Sequence, residues 1–265
     1  MQAAGDIHRR TSGDRCAAAR RSGAPFPARR TDRSLCRAPV KTLFITATGT
    51  EIGKTVVTTT LAWQARQRGE QVRVLKPVIS GFDKDTYDES DTAQILRSLE
   101  TEETEAAIDA ISPWRFKAPL APDMAAAREG TTLDFEPMVE FCREAESGPE
   151  GLLLIEGVGG LMVPLTETET VLDWIKALAC PSVMVAGSYL GTISHTLTAM
   201  ETAEKHGLDI AAIVISESED SPVPISETAN AIGRFLSGVS ILELPRLAPG
   251  CAPWQEAPDL KITIP

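Results

Sequence analysis

Short runs of apolar and β-branched residues alternate along the chain with longer stretches whose apolar positions recur every three or four residues. The short runs predict strands over residues 42–46, 71–76, 152–156, 182–186, 210–215 and 240–244. The longer stretches predict helices over residues 53–68, 91–99, 133–145, 171–178, 191–206 and 225–236. Strands that are apolar throughout, instead of alternating, are buried on both faces. With helix-length segments between them they describe an α/β fold, a mainly parallel β-sheet with helices on both faces. Pro113, Pro119 and Pro122 mark a loop-rich stretch between two helices. No internal repeat interrupts the pattern.

The pattern begins only at residue 40. Residues 1–40 hold nine Arg, three Asp and no Lys or Glu, with no strand or helix periodicity and no apolar core of a secretory signal. Their net +6, set against −11 for the whole chain, leaves −17 on the other 225 residues. Three readings stay open for this segment: a disordered tail or an over-long predicted start, an organelle transit peptide, or a nucleic-acid-binding arm. The acidic body argues against the last, because a phosphate backbone would be repelled by most of the surface. The domain is expected over residues 41–250. The end of the chain, 251–265, reads as a tail of uncertain order, four prolines falling between Pro249 and Pro265. No apolar run is long enough to span a bilayer. The five cysteines are scattered without a Cys-x-x-Cys pair and read as reduced thiols of a cytoplasmic protein.

The first strand runs into Thr46-Ala47-Thr48-Gly49-Thr50-Glu51-Ile52-Gly53-Lys54-Thr55 and then a helix. Gly-Lys-Thr at a strand-to-helix turn is the working end of a phosphate-binding loop. Backbone N–H groups and the helix N-terminus face a polyphosphate, the Lys reaches the outer phosphates, and the hydroxyl goes to Mg²⁺. The strict pattern wants Gly where Thr48 stands, so strand and helix on either side carry the reading. In a parallel sheet, ligands sit beyond the carboxyl ends of the strands, and the notable polar residues fall there. Lys76 and Ser80 close the second strand, Glu156 ends the third ahead of Gly157, Gly159 and Gly160, and residues 187–191 and Ser216 follow the next two. Glu156 suits a Mg²⁺-organising carboxylate or a loop cap. Lys76 reads as pocket-lining or as a snorkelling surface lysine. Asp91 opens a helix, where it serves metal binding or compensation of the helix dipole equally well. The Gly191-Thr192-Ile193-Ser194 opening of another helix is a possible anion site, with His195 as a packing residue.

These pieces, taken in order, resemble the dethiobiotin synthase family from about residue 41 to about residue 249. The resemblance rests on Thr50-Glu51-Ile52-Gly53-Lys54-Thr55, Lys76-Pro77-Val78-Ile79-Ser80-Gly81, Ser90-Asp91, Pro113-Trp114-Arg115-Phe116, Glu156-Gly157-Val158-Gly159-Gly160, Asp173-Trp174 and Leu190-Gly191-Thr192-Ile193-Ser194-His195. It implies a P-loop NTPase-type fold and ATP- and Mg²⁺-dependent closure of a ureido ring on 7,8-diaminopelargonate with CO₂. Gly49, Thr50, Glu51, Ile52, Gly53, Lys54, Thr55 and Ser216 would bind ATP, and Thr55, Asp91 and Glu156 would hold Mg²⁺. Lys54, Lys76, Thr50 and Glu51 would carry the catalysis. Lys76, Ser80, Gly157, Gly159 and Gly160 would border the diamine. Its far carboxylate would meet Gly191, Thr192, Ile193 and Ser194 of a partner subunit, since the family acts as a homodimer. No nucleic-acid or membrane partner is implied.

This chain departs from the family pattern at several places. Ala47 stands where the family's loop begins with Gly, and Gly49 where an acidic residue is common, so Gly49 is expected to supply backbone freedom. Ser194 and Ser216 each stand for a frequent Asn. The main rival is a partitioning or regulatory ATPase of the related deviant-loop group. Those proteins carry an extra Lys at the place of Gly49. An amide-forming synthetase domain of cobalamin synthesis would normally continue into a glutaminase domain, and a GTPase would show Asn-Lys-x-Asp after a strand.

Overall fold

The computed structural model describes residues 40–248 and 252–263. The readings of the Arg-rich segment up to residue 39 lie outside the described residues. In chain order the elements are β1 (Lys41–Ala47), α1 (Lys54–Gln67), β2 (Val72–Leu75), β3 (Val78–Ser80), α2 (Asp91–Ser98), α3 (Glu105–Ile111), β4 (Trp114–Phe116), α4 (Pro122–Arg128), α5 (Phe135–Glu146), β5 (Leu152–Glu156), α6 (Val171–Leu178), β6 (Ser182–Ala186), α7 (Thr192–Lys205), β7 (Ile210–Ser216), α8 (Ile225–Gly233), β8 (Ser240–Leu244) and α9 (Pro253–Glu256).

Six strands form one sheet in the order β2-β5-β1-β6-β7-β8, every neighbouring pair parallel. The chain leaves β1 first toward β5 and β2, then returns past it to β6, β7 and β8. A crevice therefore opens at the carboxyl edge beside β1. Alternation along each strand sends residues to two cores. Leu43, Ile45 and Ala47 of β1, Leu152 and Leu154 of β5, and Val183 and Val185 of β6 pack on the α1 side. Phe44, Leu153, Ile155, Met184 and Ala186 face the α5–α6 side. There Phe44 meets Trp174 of α6 edge to face, ring centroids 4.9 Å apart, an arrangement worth about 0.5–1.5 kcal/mol beyond area burial. Both faces of the sheet are thus dry, as the uninterrupted apolar runs require.

The six expected strands and six expected helices all form, with small shifts at their ends. β2 stops at Leu75, and the Lys76 N–H turns to the Ile111 carbonyl at 3.1 Å. The stretch read as loop-rich is better organised than its prolines suggest. β3 and β4 pair in parallel as a separate two-stranded ribbon, and Pro122 opens α4 from its first position, where a missing N–H is no loss. The end of the chain is ordered over residues 252–263. Trp254 and Leu260 are buried, and Gln64 of α1 donates to the Pro258 carbonyl at 2.8 Å while accepting from the Leu260 N–H at 3.0 Å.

Candidate active site

The loop between β1 and α1 turns at residues with left-handed backbone. Glu51 has φ +57° and Gly53 has φ +93°, the former an uncommon conformation for a residue with a side chain. The backbone freedom expected of Gly49 is not used, since its φ is ordinary and a Cβ there would meet nothing within 4 Å. Ala47 is a fully buried strand residue whose methyl packs on the α1 side, so the place of the family's first loop glycine tolerates Ala. Gly53 does need to be glycine on two grounds: its φ, and Ser216 Oγ 2.4 Å from where a Cβ would stand. Gly160 also lies close to the loop, its would-be Cβ 3.1 Å from the Gly49 nitrogen.

α1 starts at Lys54 with no side-chain cap and no acid in its first turn, so its free N–H groups face the loop. The Lys54 ammonium, 7% exposed, donates to the Gly49 carbonyl at 3.3 Å. Burial, reinforced by the nearby charge of Lys76, lowers its pKa to about 8. Thr55 Oγ1 lies 2.7 Å from Asp91 Oδ1 and 2.8 Å from Glu156 Oε1. The Lys76 ammonium, almost wholly buried, donates to Glu156 Oε1 at 2.7 Å and to the Gly157 carbonyl at 2.9 Å, and stands 3.0 Å from Asp91 Oδ2. Burial alone would lower the Lys76 pKa, but the Asp91 and Glu156 carboxylates overcome it and hold the ammonium above the usual lysine range. In turn, burial would raise the Asp91 pKa, but Lys76 and the Thr55 hydroxyl keep it below the usual carboxylate value.

Five residues from four segments of the chain thus form one charge cluster. Glu156 ends β5, Asp91 opens α2 behind its Ser90 cap, Lys76 follows β2, and Lys54 and Thr55 open α1. A divalent ion fits the donors present. Glu156 is fully buried and its Oε2 has no hydrogen-bond partner, and Thr55 Oγ1 already bridges the two carboxylates. Among the described residues no three His, Cys, Asp or Glu side chains gather as a metal cage. That suits Mg²⁺, which is bound through one or two carboxylates with the remainder from water and substrate phosphates. Thr50 and Glu51 sit at the exposed lip of the loop. Ser80 ends β3 with a buried, unpartnered hydroxyl.

The second candidate anion site is the start of α7, whose cap Gly191 has φ +97° and which carries no side-chain cap or first-turn acid. One donor expected there is already used, the Thr192 N–H bonding the Tyr189 carbonyl at 3.1 Å. The Thr192 hydroxyl turns inward to the Gly187 carbonyl at 2.7 Å. Ile193 and Ser194 remain as first-turn residues without intrahelical acceptors. A mostly apolar cavity of about 570 Å³ opens here, lined among others by Leu190, Ile193, Ser194, Val223 and Phe235. The sequence places residues 187–191 at this edge of the sheet, but does not reveal the pairing of Ser188 with Ser218, because matching hydroxyls carry no spacing signal.

A glycine-turned loop ending in Lys-Thr, a strand-end acid behind the hydroxyl and a parallel sheet define a phosphate-loop nucleotide-binding α/β protein. Comparison with known proteins narrows this. A family model described as an AAA domain matches residues 41–256. The ATP-dependent dethiobiotin synthetase of Methylobacterium nodulans is 48% identical over 209 residues, 77% of this chain and 92% of that protein. Its namesakes from Caulobacter vibrioides and Bacillus subtilis are 47% and 38% identical, over 78% and 77% of this chain and 93% and 87% of theirs. The chain belongs to the ATP-dependent dethiobiotin synthetase family.

Proposed function

We propose that this chain closes the ureido ring of dethiobiotin from 7,8-diaminopelargonate, CO₂ and ATP, with Mg²⁺, releasing ADP and phosphate. Besides the family, the supporting observation is Lys76, a second buried lysine at the end of a second strand. A simple ATPase needs the loop lysine; an enzyme that transfers phosphate to an anionic acceptor needs a cation on the acceptor's side as well.

In this reading one amine of the diamine captures CO₂ as a carbamate and releases a proton. A carbamate oxygen attacks the γ-phosphorus of ATP and ADP leaves. The second amine then attacks the carbonyl carbon of the carbamic-phosphoric anhydride, closing the ring and expelling phosphate. Lys54 and the free N–H groups of α1 neutralise the phosphates, with Gly49 to Gly53 wrapping them. Lys76 screens carbamate against phosphate, held by Glu156, Asp91 and the Gly157 carbonyl. Thr55, Asp91 and Glu156 would hold Mg²⁺, which supplies charge neutralisation on the phosphate oxygens. Thr50, Ser80, Gly157, Gly159 and Gly160 border the acceptor, with Glu51 beside it. Ser216 lies on the adenine side. No covalent nucleophile is required; the residues position and neutralise.

A homodimer is part of the proposal. Leu190 and Phe235, 86% and 68% exposed, rim the α7 opening, and exposed apolar groups of this kind mark interaction sites. A second copy seated there brings Ile193 and Ser194 of α7 to the far carboxylate of the diamine. A cytoplasmic location goes with this reading. Phosphate release from ATP is expected to require Mg²⁺, diamine and bicarbonate together, with dethiobiotin detected by mass spectrometry. Hydrolysis that proceeds equally without diamine would refute it.

A further inference from the structure

The loops that follow β6 and β7 are joined by a reciprocal pair of hydrogen bonds. The Ser188 N–H donates to Ser218 Oγ at 3.0 Å, and the Ser218 N–H donates to Ser188 Oγ at 2.9 Å. Ser188 is 1% exposed. Each hydroxyl accepts from the other residue's main chain, so removal of either leaves a part-buried N–H without this partner. The clasp is closely surrounded. Ser221 Oγ lies 3.3 Å from the Ser188 carbonyl, although its single proton has a shorter acceptor in the Val223 carbonyl at 2.7 Å. Gly187 must be small, since a Cβ there would stand 2.8 Å from Ser218 Oγ and 2.6 Å from the Tyr189 ring.

What the clasp joins gives it a role. Two residues before Ser218, Ser216 Oγ lies against Gly53 of the phosphate loop. On the other side, Gly187 accepts the Thr192 hydroxyl and Tyr189 the Thr192 N–H, which fixes the first turn of α7. A continuous series of short contacts thus runs from the nucleotide loop through Ser216, Ser218 and Ser188 to the α7 N-terminus.

We propose that Ser188 and Ser218 are positioning residues that make the nucleotide-side loop and the α7 N-terminal loop one rigid body, so that a nucleotide seated against Gly53 and Ser216 also orders the α7 anion site. The role given to α7 rests on the functional reading above; the mechanical link does not. Apolar packing alone would hold the two loops near each other, but would not fix their main chains in register.

The test is amide hydrogen exchange on the full chain, with and without Mg²⁺ and a non-hydrolysable ATP analogue. In the unmodified protein the analogue is expected to slow exchange of residues 188–194 about fivefold or more, a typical size for coupled sites. Ser218→Ala and Ser188→Ala should each abolish that slowing while still binding the analogue, and Ser218→Thr, which keeps the hydroxyl, should retain it. In turnover Ser218→Ala should raise the KM for diamine about tenfold with kcat changed little, although Ser218 lies on the nucleotide side. Absence of any slowing in the unmodified protein, or slowing that persists undiminished in Ser218→Ala, would overturn the proposal. Failure of the functional reading shows separately, as missing diamine-dependent phosphate release in the unmodified protein.

Discussion

α1 and α7 begin alike and end up in opposite company. Each is 14 residues long, each follows a glycine in the left-handed region, and neither has a side-chain cap or an acid in its first turn. Other helices of the same molecule are capped, α2 by Ser90 and α6 by a Thr170–Asp173 box. α4, α5, α8 and α9 also lack a side-chain cap but carry an acid in the first turn. Among the described helices α1 and α7 are thus set apart by having neither, which leaves their N–H groups open to an anion. The mouth of α1 is ringed by Lys54, Lys76, Asp91 and Glu156, a charge set complete within one chain. The mouth of α7 is rimmed by Leu190, Ile193 and Phe235, apolar groups exposed to solvent. One opening gets its electrostatics from buried side chains. The other has backbone dipoles and a hydrophobic rim, and in the homodimer proposed above a second copy would exclude water and strengthen those dipoles.

The strongest way to break this contrast is at Lys76. Lys76→Ala should lower kcat/KM by about 10²–10³-fold, the usual effect of removing one group that stabilises developing charge. It should also destabilise the fold by about 3–5 kcal/mol, because two carboxylates lose their buried counter-ion. Adding Glu156→Gln should recover stability but not activity, as read by thermal melts beside steady-state rates. Near-normal turnover in Lys76→Ala would show the second-strand pocket to be wrongly assigned.

The two cap glycines give the next comparison. Left-handed backbone at a non-glycine residue costs roughly 1–2 kcal/mol at either position. At Gly53 the new methyl also meets Ser216 Oγ, whereas at Gly191 its nearest neighbour is His195 Cε1 at 3.8 Å. Gly53→Ala should thus raise the KM for ATP strongly and be partly relieved by Ser216→Gly. Gly191→Ala should show mainly as a lower melting temperature and a raised KM for diamine. Equal effects on ATP would mean that the Ser216 contact is unimportant.

Much of this arrangement was legible in the pattern of residues, and the remainder was hidden for identifiable reasons. Strands buried on both faces announce themselves as apolar runs, so β1, β5, β6 and β7 could be located closely. β3 and β4 are three residues each, below the length at which periodicity carries information. α3 and α4 are seven-residue helices set among prolines. Asp91 is the instructive site residue. Spacing left it open between dipole compensation and metal binding, and the structure sets its two oxygens against Thr55 and Lys76, partners 36 and 15 positions away that only the sheet order brings together. The absent cap of α7 was visible as Gly-Thr-Ile-Ser; that Thr192 turns both its N–H and its hydroxyl inward was not.

A smaller effect sharpens the apolar side of the contrast. Phe235→Glu places a charge on the exposed rim of α7 and should shift the chain toward monomer in sedimentation, raising the KM for diamine while leaving nucleotide affinity unchanged. Persistence of a dimer with unaltered kinetics would remove Phe235 from the interface. The smallest effect concerns Ser216. A serine hydroxyl carries its donor and its acceptor lone pairs on one oxygen and has a short reach, so it cannot span the two positions of the adenine edge as the carboxamide of Asn does. The ratio of kcat/KM for ATP over GTP and CTP should be modest and rise a few-fold in Ser216→Asn. An unchanged ratio would mean that this position does not read the base.

The hold of Gln64 on Pro258 and Leu260 also shapes how the molecule is made. The partners are 194 and 196 residues apart in sequence, so the outer flank of the helix bearing Lys54 stays bare until nearly the entire domain has left the ribosome. Contacts of such long range form late and slowly, and uncovered apolar surface in a nascent chain invites association with its neighbours. The stretch that completes the support of the phosphate loop's helix is made after all six strands of the sheet, and a nascent chain stalled or clipped before Trp254 would carry the whole charge cluster while one side of α1 stayed unpacked.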